Sequence, residues 1–255
     1  MPIKIVIVPC LNDNYAYILH DSLSKKTTLV DAPDFDPINE VLENEKWELH
    51  NILLTHHHTD HTAAVTKLVE KHNSIVFGSE AEINELPKLD VSLTDKDKFS
   101  VSNLIFKCVD VGGHTLGHLA FYCESQKIIF TGDSLMTLGC GRIFEGTPKQ
   151  MFESLNRLKV LPDQTIIYSG HEYAGQNARF ALTVDPDNSD LIEREKKISS
   201  NLIHQIPNVG SPLIEEKKTN PFLRPKNKEI RVRLGMETNS DLEVFTKLRE
   251  MKDHF

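Results

Sequence analysis

The chain is 255 residues long, with 39% hydrophobic residues, 26% charged residues and a formal net charge of −8. These values suit one large domain, or a main domain with a small appendage, and exclude collagen-like, disulfide-scaffold and disordered chains. No run approaches the ~20 apolar residues of a membrane span, Ile5–Pro9 is too short for a signal-peptide core, and the acidity argues against a nucleic-acid partner. A cytoplasmic monomer with no membrane partner is expected. Strand-like stretches rich in β-branched and aromatic residues come first, at Ile3–Val8, Tyr15–His20 and Thr28–Asp31. Pro37–Glu45 reads as a helix, His50–Leu54 as a strand and Thr62–His72 as a helix with Ala64, Leu68 and Val69 on one side. Ser74–Phe77, Phe99–Val111, Leu119–Cys123 and Lys127–Thr131 follow as strands, the last two forming a hairpin. Thr147-Pro148 opens a helix, with Thr as N-cap, and Met151, Leu155 and Leu158 give it an apolar face. After the strand Thr165–Tyr168 the texture becomes helical. Asp190–Gln205 carries Leu191, Ile198, Leu202 and Ile203 at helical spacing, Thr219–Pro225 reads as a turn-rich connection, and Asp241–Phe255 carries Leu242, Phe245, Leu248 and Met251. The predicted organisation is an α/β chain of two layers of mixed strands and helices, 1–171, followed by a small helical part, 172–255.

Four cysteines are scattered without a CxxC pair and read as buried free thiols rather than a disulfide framework. Histidine is the unusual residue: of twelve, four fall within residues 56–61. Thr55-His56-His57-His58-Thr59-Asp60-His61 follows the apolar run Ile52–Leu54 and contains H-x-H-x-D-H. Imidazole and carboxylate suit Zn²⁺, with Fe²⁺ or Mn²⁺ as alternatives, and four such groups in so short a turn exceed what one tetrahedral centre takes. Two adjacent divalent metals are therefore expected. A solvated polar turn is the bland alternative, but such a turn has no reason to alternate ligands with Thr directly after a strand. Further ligands are sought at strand ends, where His114, Asp133 and His171 each follow a glycine that lets the backbone turn. Singly each is an ordinary surface residue; their shared context completes a set of seven.

The order His56, His58, Asp60, His61, His114, Asp133, His171 resembles the metallo-β-lactamase superfamily, and the whole chain resembles the type II glyoxalases, the hydroxyacylglutathione hydrolases. The supporting segments run from Asn12-Asp13-Asn14-Tyr15 through Gly139-Cys140-Gly141-Arg142 and Gly170-His171-Glu172-Tyr173 to Leu248-Arg249 and Lys252. The resemblance implies an αββα sandwich with a C-terminal helical glutathione-binding domain. It implies that His56, His58 and His114 hold one metal and Asp60, His61 and His171 the other. Asp133 and a hydroxide would bridge the two, making Asp60 and Asp133 the catalytic carboxylates. His57 and His118 are read as supporting residues. Arg142, Phe144, Tyr173, Arg249 and Lys252 would grip glutathione. Some members of the family have Lys where this chain has Arg142 and Tyr where it has Phe144, and the family usually has Thr-Pro-Gly where this chain has Val111-Gly112-Gly113 ahead of His114; the first change keeps the charge but alters its shape.

The implied activity is hydrolysis of a 2-hydroxyacyl glutathione thioester such as S-D-lactoylglutathione, the second step of methylglyoxal detoxification. The weaker readings are a glutathione-persulfide dioxygenase on the same fold with one iron, a β-lactam hydrolase, a tRNA-processing nuclease, and an inactive metal-binding member. The complete ligand set argues against the last, and the acidic charge against the nuclease.

Overall fold

The structure, a computed structural model, describes residues 3–255. The first sheet holds β1 (Ile3–Cys10), β2 (Asn14–Asp21), β3 (Lys26–Val30), β4 (Leu49–Leu53), β5 (Ile75–Ser79) and β6 (Val91–Leu93), in that order across the sheet. Its first three strands form an antiparallel meander and the rest run parallel, with α1 (Phe35–Glu45) crossing from β3 to β4. The second crossing uses α2 (Thr59–Thr62) and α3 (Val65–His72). The second sheet uses β7 (Lys98–Val101), β8 (Leu104–Asp110), β9 (Leu119–Cys123) and β10 (Ile128–Gly132). A two-strand hairpin, β11 (Leu135–Met136) and β12 (Gly139–Cys140), and helix α4 (Pro148–Lys159) follow. The chain then returns to the second sheet as β13 (Ile166–Ser169), parallel to β10, and later as the edge strand β14 (Ser211–Pro212). The remaining helices are α5 (Ala174–Val184), α6 (Ser189–Ile203), α7 (Leu213–Thr219), α8 (Lys228–Leu234) and α9 (Asp241–Asp253).

Alternation along the strands builds the layers. In β2, Tyr15, Tyr17 and Leu19 point between the sheets, where they meet Phe106, Phe121 and Phe130. Ala16 and Ile18 point outward to α1 and α3, against Ile38, Leu42, Val65 and Leu68. In β9, Phe121 and Cys123 face the interior, while Ala120 and Tyr122 face α4 and the C-terminal helices. The result is helix, sheet, sheet, helix: the αββα sandwich expected from the resemblance, with α4, α8 and α9 packed on the second sheet through Met151, Leu155, Ile230, Phe245 and Leu248. Truncating a fully buried inter-sheet phenylalanine such as Phe121 to alanine costs roughly 3–5 kcal/mol. Helix α4 starts as read from the sequence: Thr147 and Gln150 form a reciprocal capping box with Pro148 in the first turn.

Several expectations are corrected. Thr62–His72 is not one helix; the break at Ala63-Ala64 lets Ala64 N–H donate to the Ala32 carbonyl, and Ala32 N–H donates to the His61 carbonyl. These bonds clamp the histidine turn to the end of β3. Phe99–Val111 is a hairpin rather than one strand, because Ser102 and Asn103 both take positive φ. In α6, Leu202 and Ile203 are exposed, and the inward position is instead Arg194, buried against Glu216. In α9 the core is lined by Val244, Phe245 and Leu248, with Leu242 and Met251 only half-buried at its flanks. All four cysteines are free and buried.

Candidate metal centre and adjoining cavity

Four strand ends converge on one edge of the sandwich. The turn after β4 carries His56, His58, Asp60 and His61; the loop after β8 carries His114; the ends of β10 and β13 carry Asp133 and His171. His58 Nδ1 lies 3.2 Å from His56 Nε2 and 3.0 Å from His114 Nε2. On the other side, His171 Nε2 lies 3.2 Å from His61 Nε2 and 3.4 Å from Asp60 Oδ2. Asp133 stands between the two groups, with Oδ1 3.4 Å from His61 Nε2 and Oδ2 3.4 Å from His114 Nε2 and 3.2 Å from His171 Nε2. All seven expected ligands are thus brought together.

These groups fit divalent metal. Bonds of ~2.0–2.1 Å in a tetrahedron place ligand atoms about 3.3–3.4 Å apart, close to the separations here. Asp133 Oδ1 is buried and has no hydrogen-bond partner among the described residues, as suits a metal ligand. The electrostatics agree. Burial and the neighbouring histidines hold His56 well below its ordinary pKa, and burial with His114 lowers His58. Burial alone would lower His171, but Asp133 and Asp60 outweigh it and push it up to about 12. Burial likewise opposes ionisation of Asp133, yet His61 and His171 hold that carboxyl well below the usual range. In one half His56 and His58 are held below their ordinary pKa, and the other gathers positive charge around two carboxylates.

Supporting groups fix the rings. His61 Nδ1 lies 2.9 Å from Asp31 Oδ2, and the same carboxylate accepts from Thr55 N–H and Thr55 hydroxyl, each at 2.8 Å. His171 Nδ1 meets Asp13 Oδ1 at 2.8 Å, and Asn14 donates to Asp60 Oδ2 at 3.0 Å. His118 accepts the Asp133 backbone N–H at 3.0 Å and stacks on His56 with ring centroids 4.6 Å apart, as a supporting residue should. Asp31 escaped the sequence reading because it directly follows Val30, without the glycine that marked His114, Asp133 and His171. The glycine argument needs division. Gly113 and Gly132 do take positive φ, of 142° and 47°, whereas Gly170 is required for room: a Cβ there would lie 2.3 Å from Asp133 Oδ1 and 2.6 Å from His61 Cε1.

A cavity of about 390 Å³ opens onto this centre. His58, Asp60, His114, Asp133 and His171 line one end, while His56 and His61 lie fully buried behind them. The five residues expected to hold glutathione, Arg142, Phe144, Tyr173, Arg249 and Lys252, all line the same cavity. Tyr173 stacks on His171 with centroids 4.7 Å apart and planes 7° apart. Phe144 is 63% exposed and stands beside His114 and His58, with centroids at 5.2 and 5.8 Å. Arg249 is buried and donates to the Cys140 carbonyl at 2.8 Å while pairing with Asp253 at 2.9 Å. Burial, with the Arg249 and Arg142 charges, lowers Lys252 to about 8. Met136, Gln176 and Asn177 also line the cavity and carried no sequence signal of their own, while Cys140 lines it from the quoted Gly139–Arg142 segment.

Residues 14–171 match the profile of the metallo-beta-lactamase superfamily, and residues 172–255 match the hydroxyacylglutathione hydrolase C-terminus. Over 255 residues, spanning 100% of both chains, the protein is 47% identical to a hydroxyacylglutathione hydrolase of Roseobacter denitrificans and 48% identical to one of Ruegeria pomeroyi. The chain belongs to the hydroxyacylglutathione hydrolase family. The crystal structure of ETHE1 from Myxococcus xanthus superposes on this family member with a TM-score of 0.70 at 24% identity, covering 98% of this chain and 90% of the other, a likeness of fold. With the metallo-β-lactamase fold and this donor set, the centre is a divalent-metal site.

Proposed function

We propose that this hydroxyacylglutathione hydrolase-family chain cleaves S-(2-hydroxyacyl)glutathione thioesters, S-D-lactoylglutathione foremost, to glutathione and the 2-hydroxy acid, the second step of methylglyoxal detoxification. One observation carries the reading: a single cavity joins the paired donor sets to the cations Arg142, Arg249 and Lys252. A glutathione thioester has the matching polarity, with a reactive carbonyl at one end and peptide carboxylates at the other.

Two metals, zinc in this reading, would be held by His56, His58 and His114 and by Asp60, His61 and His171, with Asp133 shared, and would supply an acidified water and polarisation of the thioester carbonyl. The chain's own residues do the rest. Lys252, Arg142 and Arg249 draw in the carboxylates and fix the register of the peptide. Tyr173, stacked on His171, flanks the thioester. Phe144 covers His58 and His114 from bulk water. Asp60 and Asp133 are the catalytic carboxylates, holding the reacting centre between the two halves. The departing thiolate is a stable anion, so no strong general acid is required, and Cys140 has no base beside it and is not a nucleophile. In this division, 1–171 is the metal-bearing part and 172–255, with Arg142, the glutathione-binding part. The proposed ligands and cations meet within a single chain, so the proposed site needs no second copy. The four free thiols suit a reducing, cytoplasmic setting.

The test is the initial rate on S-D-lactoylglutathione beside a small acyl thioester without glutathione, using metal-loaded protein. Strong preference for the former, lost in Arg249→Ala, supports the reading. An intact glutathione thioester after prolonged incubation overturns it.

A further inference from the structure

The two halves of the metal centre are supported differently. His61 and His171 set Nδ1 against the carboxylates of Asp31 and Asp13. His56 Nδ1 meets only the Thr55 hydroxyl at 3.0 Å, and His114 Nδ1 only the Arg142 carbonyl at 2.7 Å. Charged acceptors fix and strengthen an imidazole ligand more than neutral ones. The first half therefore depends on how firmly the backbone around His114 is held.

That backbone is irregular, and three successive residues after His114 are tied to two carboxylates. The Thr115 hydroxyl and Gly117 N–H donate to Glu82 Oε1, the latter at 3.1 Å, and Leu116 N–H donates to Glu145 Oε2 at 2.9 Å. His57 lies between these carboxylates, with Nδ1 3.1 Å from Glu82 Oε2 and Nε2 3.2 Å from Glu145 Oε1. Glu82 is 3% exposed and closes the single 3-10 turn Glu80–Glu82 after β5. His57 Nδ1 and Glu82 Oε2 are buried and have no hydrogen-bond partner among the described residues, so across that gap each has only the other. Gly117 leaves no slack, since a Cβ there would lie 2.7 Å from Glu82 Cγ.

We infer that Glu82, His57 and Glu145 form a positioning relay that locks the His114 loop onto the His56–His58 turn and so sets occupancy of the first metal position separately from the second. His57 sits in sequence between two ligands, with its ring centroid 5.0 Å from that of His58 and its two nitrogens facing Glu82 and Glu145; its role is to join the carboxylates that hold the loop of the third ligand. The inference rests on the metal assignment proposed above.

The experiment measures metal per chain after dialysis against a weak chelator, the zinc dissociation constants of both positions, and the melting temperature of metal-free protein. It compares wild type, Glu82→Gln and His57→Ala. The wild type is expected to keep two metals. Each variant is expected to keep one, with the weaker constant raised 10–100-fold, the tighter constant unchanged, excess zinc restoring the second metal and the metal-free melting temperature unmoved. Both metals retained at wild-type affinity, or both weakened together with a lowered metal-free melting temperature, overturns the relay. If Glu82→Gln fails to fold, His57→Ala, whose side chain is 18% exposed, decides alone. A wild type that binds two metals but leaves the thioester intact sinks the hydrolase reading and not the relay.

Discussion

Asp13 Oδ1 lies 2.8 Å from His171 Nδ1, joining the turn between the first two strands to the end of β13, 158 residues away. The contact fixes which ring nitrogen faces the metal centre. Asp13→Asn keeps an acceptor there but removes the charge. Affinity at the second metal position is expected to fall 10–100-fold, while the fold is retained. Competition with a chromogenic chelator measures it, and an unchanged affinity would show that His171 needs no charged support.

Asp133 reaches both halves of the centre, within 3.4 Å of His61 and His114 and 3.2 Å of His171. Asp133→Asn is expected to lower thioester hydrolysis by more than ~100-fold, beyond what loss of a merely supporting group produces. Initial rates with matched metal content check this, and a loss under tenfold would remove Asp133 from the catalytic set.

Gly170 has no room for a methyl group beside Asp133 and His61. Gly170→Ala is expected to abolish binding of at least one metal while circular dichroism stays that of the wild type. Retention of both metals would mean that the loop yields more easily than its packing implies.

Lys252, lowered to about 8 by burial and by the Arg249 and Arg142 charges, titrates in an accessible range. Below that pH it is cationic and attracts a carboxylate; above it the charge is lost. KM for S-D-lactoylglutathione is therefore expected to climb above pH 8, with kcat nearly flat, and Lys252→Arg is expected to remove the rise. Identical profiles for the two proteins would take Lys252 out of substrate binding.

Much of this site could be read before any fold was known, because metal ligands leave a local chemical signature. Four donors in His56–His61 and three strand-end residues after glycine are unusual enough to be seen directly. Thr147-Pro148 likewise announces a helix start through its own chemistry. Residues whose meaning depends on distant partners stayed hidden. Asp31 and Glu82 are ordinary acids until folding buries them beside His61 and Thr115. Arg194 was missed because a paired cation can occupy a helix's inward face where periodicity expects leucine. Helices α5, α7 and α8 were missed because α7 and α8 are short and α5 is rich in small residues, leaving weak apolar periodicity.

The donor sets have a mechanical meaning. Each half of the centre takes ligands from both sheets: His56 and His58 with His114, and Asp60 and His61 with His171. A filled centre is thus a rivet through two plates, placed at one end of the sandwich. At the other end the plates are held by apolar packing between the sheets and by polar contacts such as Asn103 to Asp21 at 2.7 Å. Stripping the ions removes the rivet but not every fastening, because the Leu119 N–H bond to the Thr55 carbonyl at 2.9 Å and the Tyr15 N–H bond to the Gly170 carbonyl at 2.8 Å still tie the plates along the edge where substrate enters.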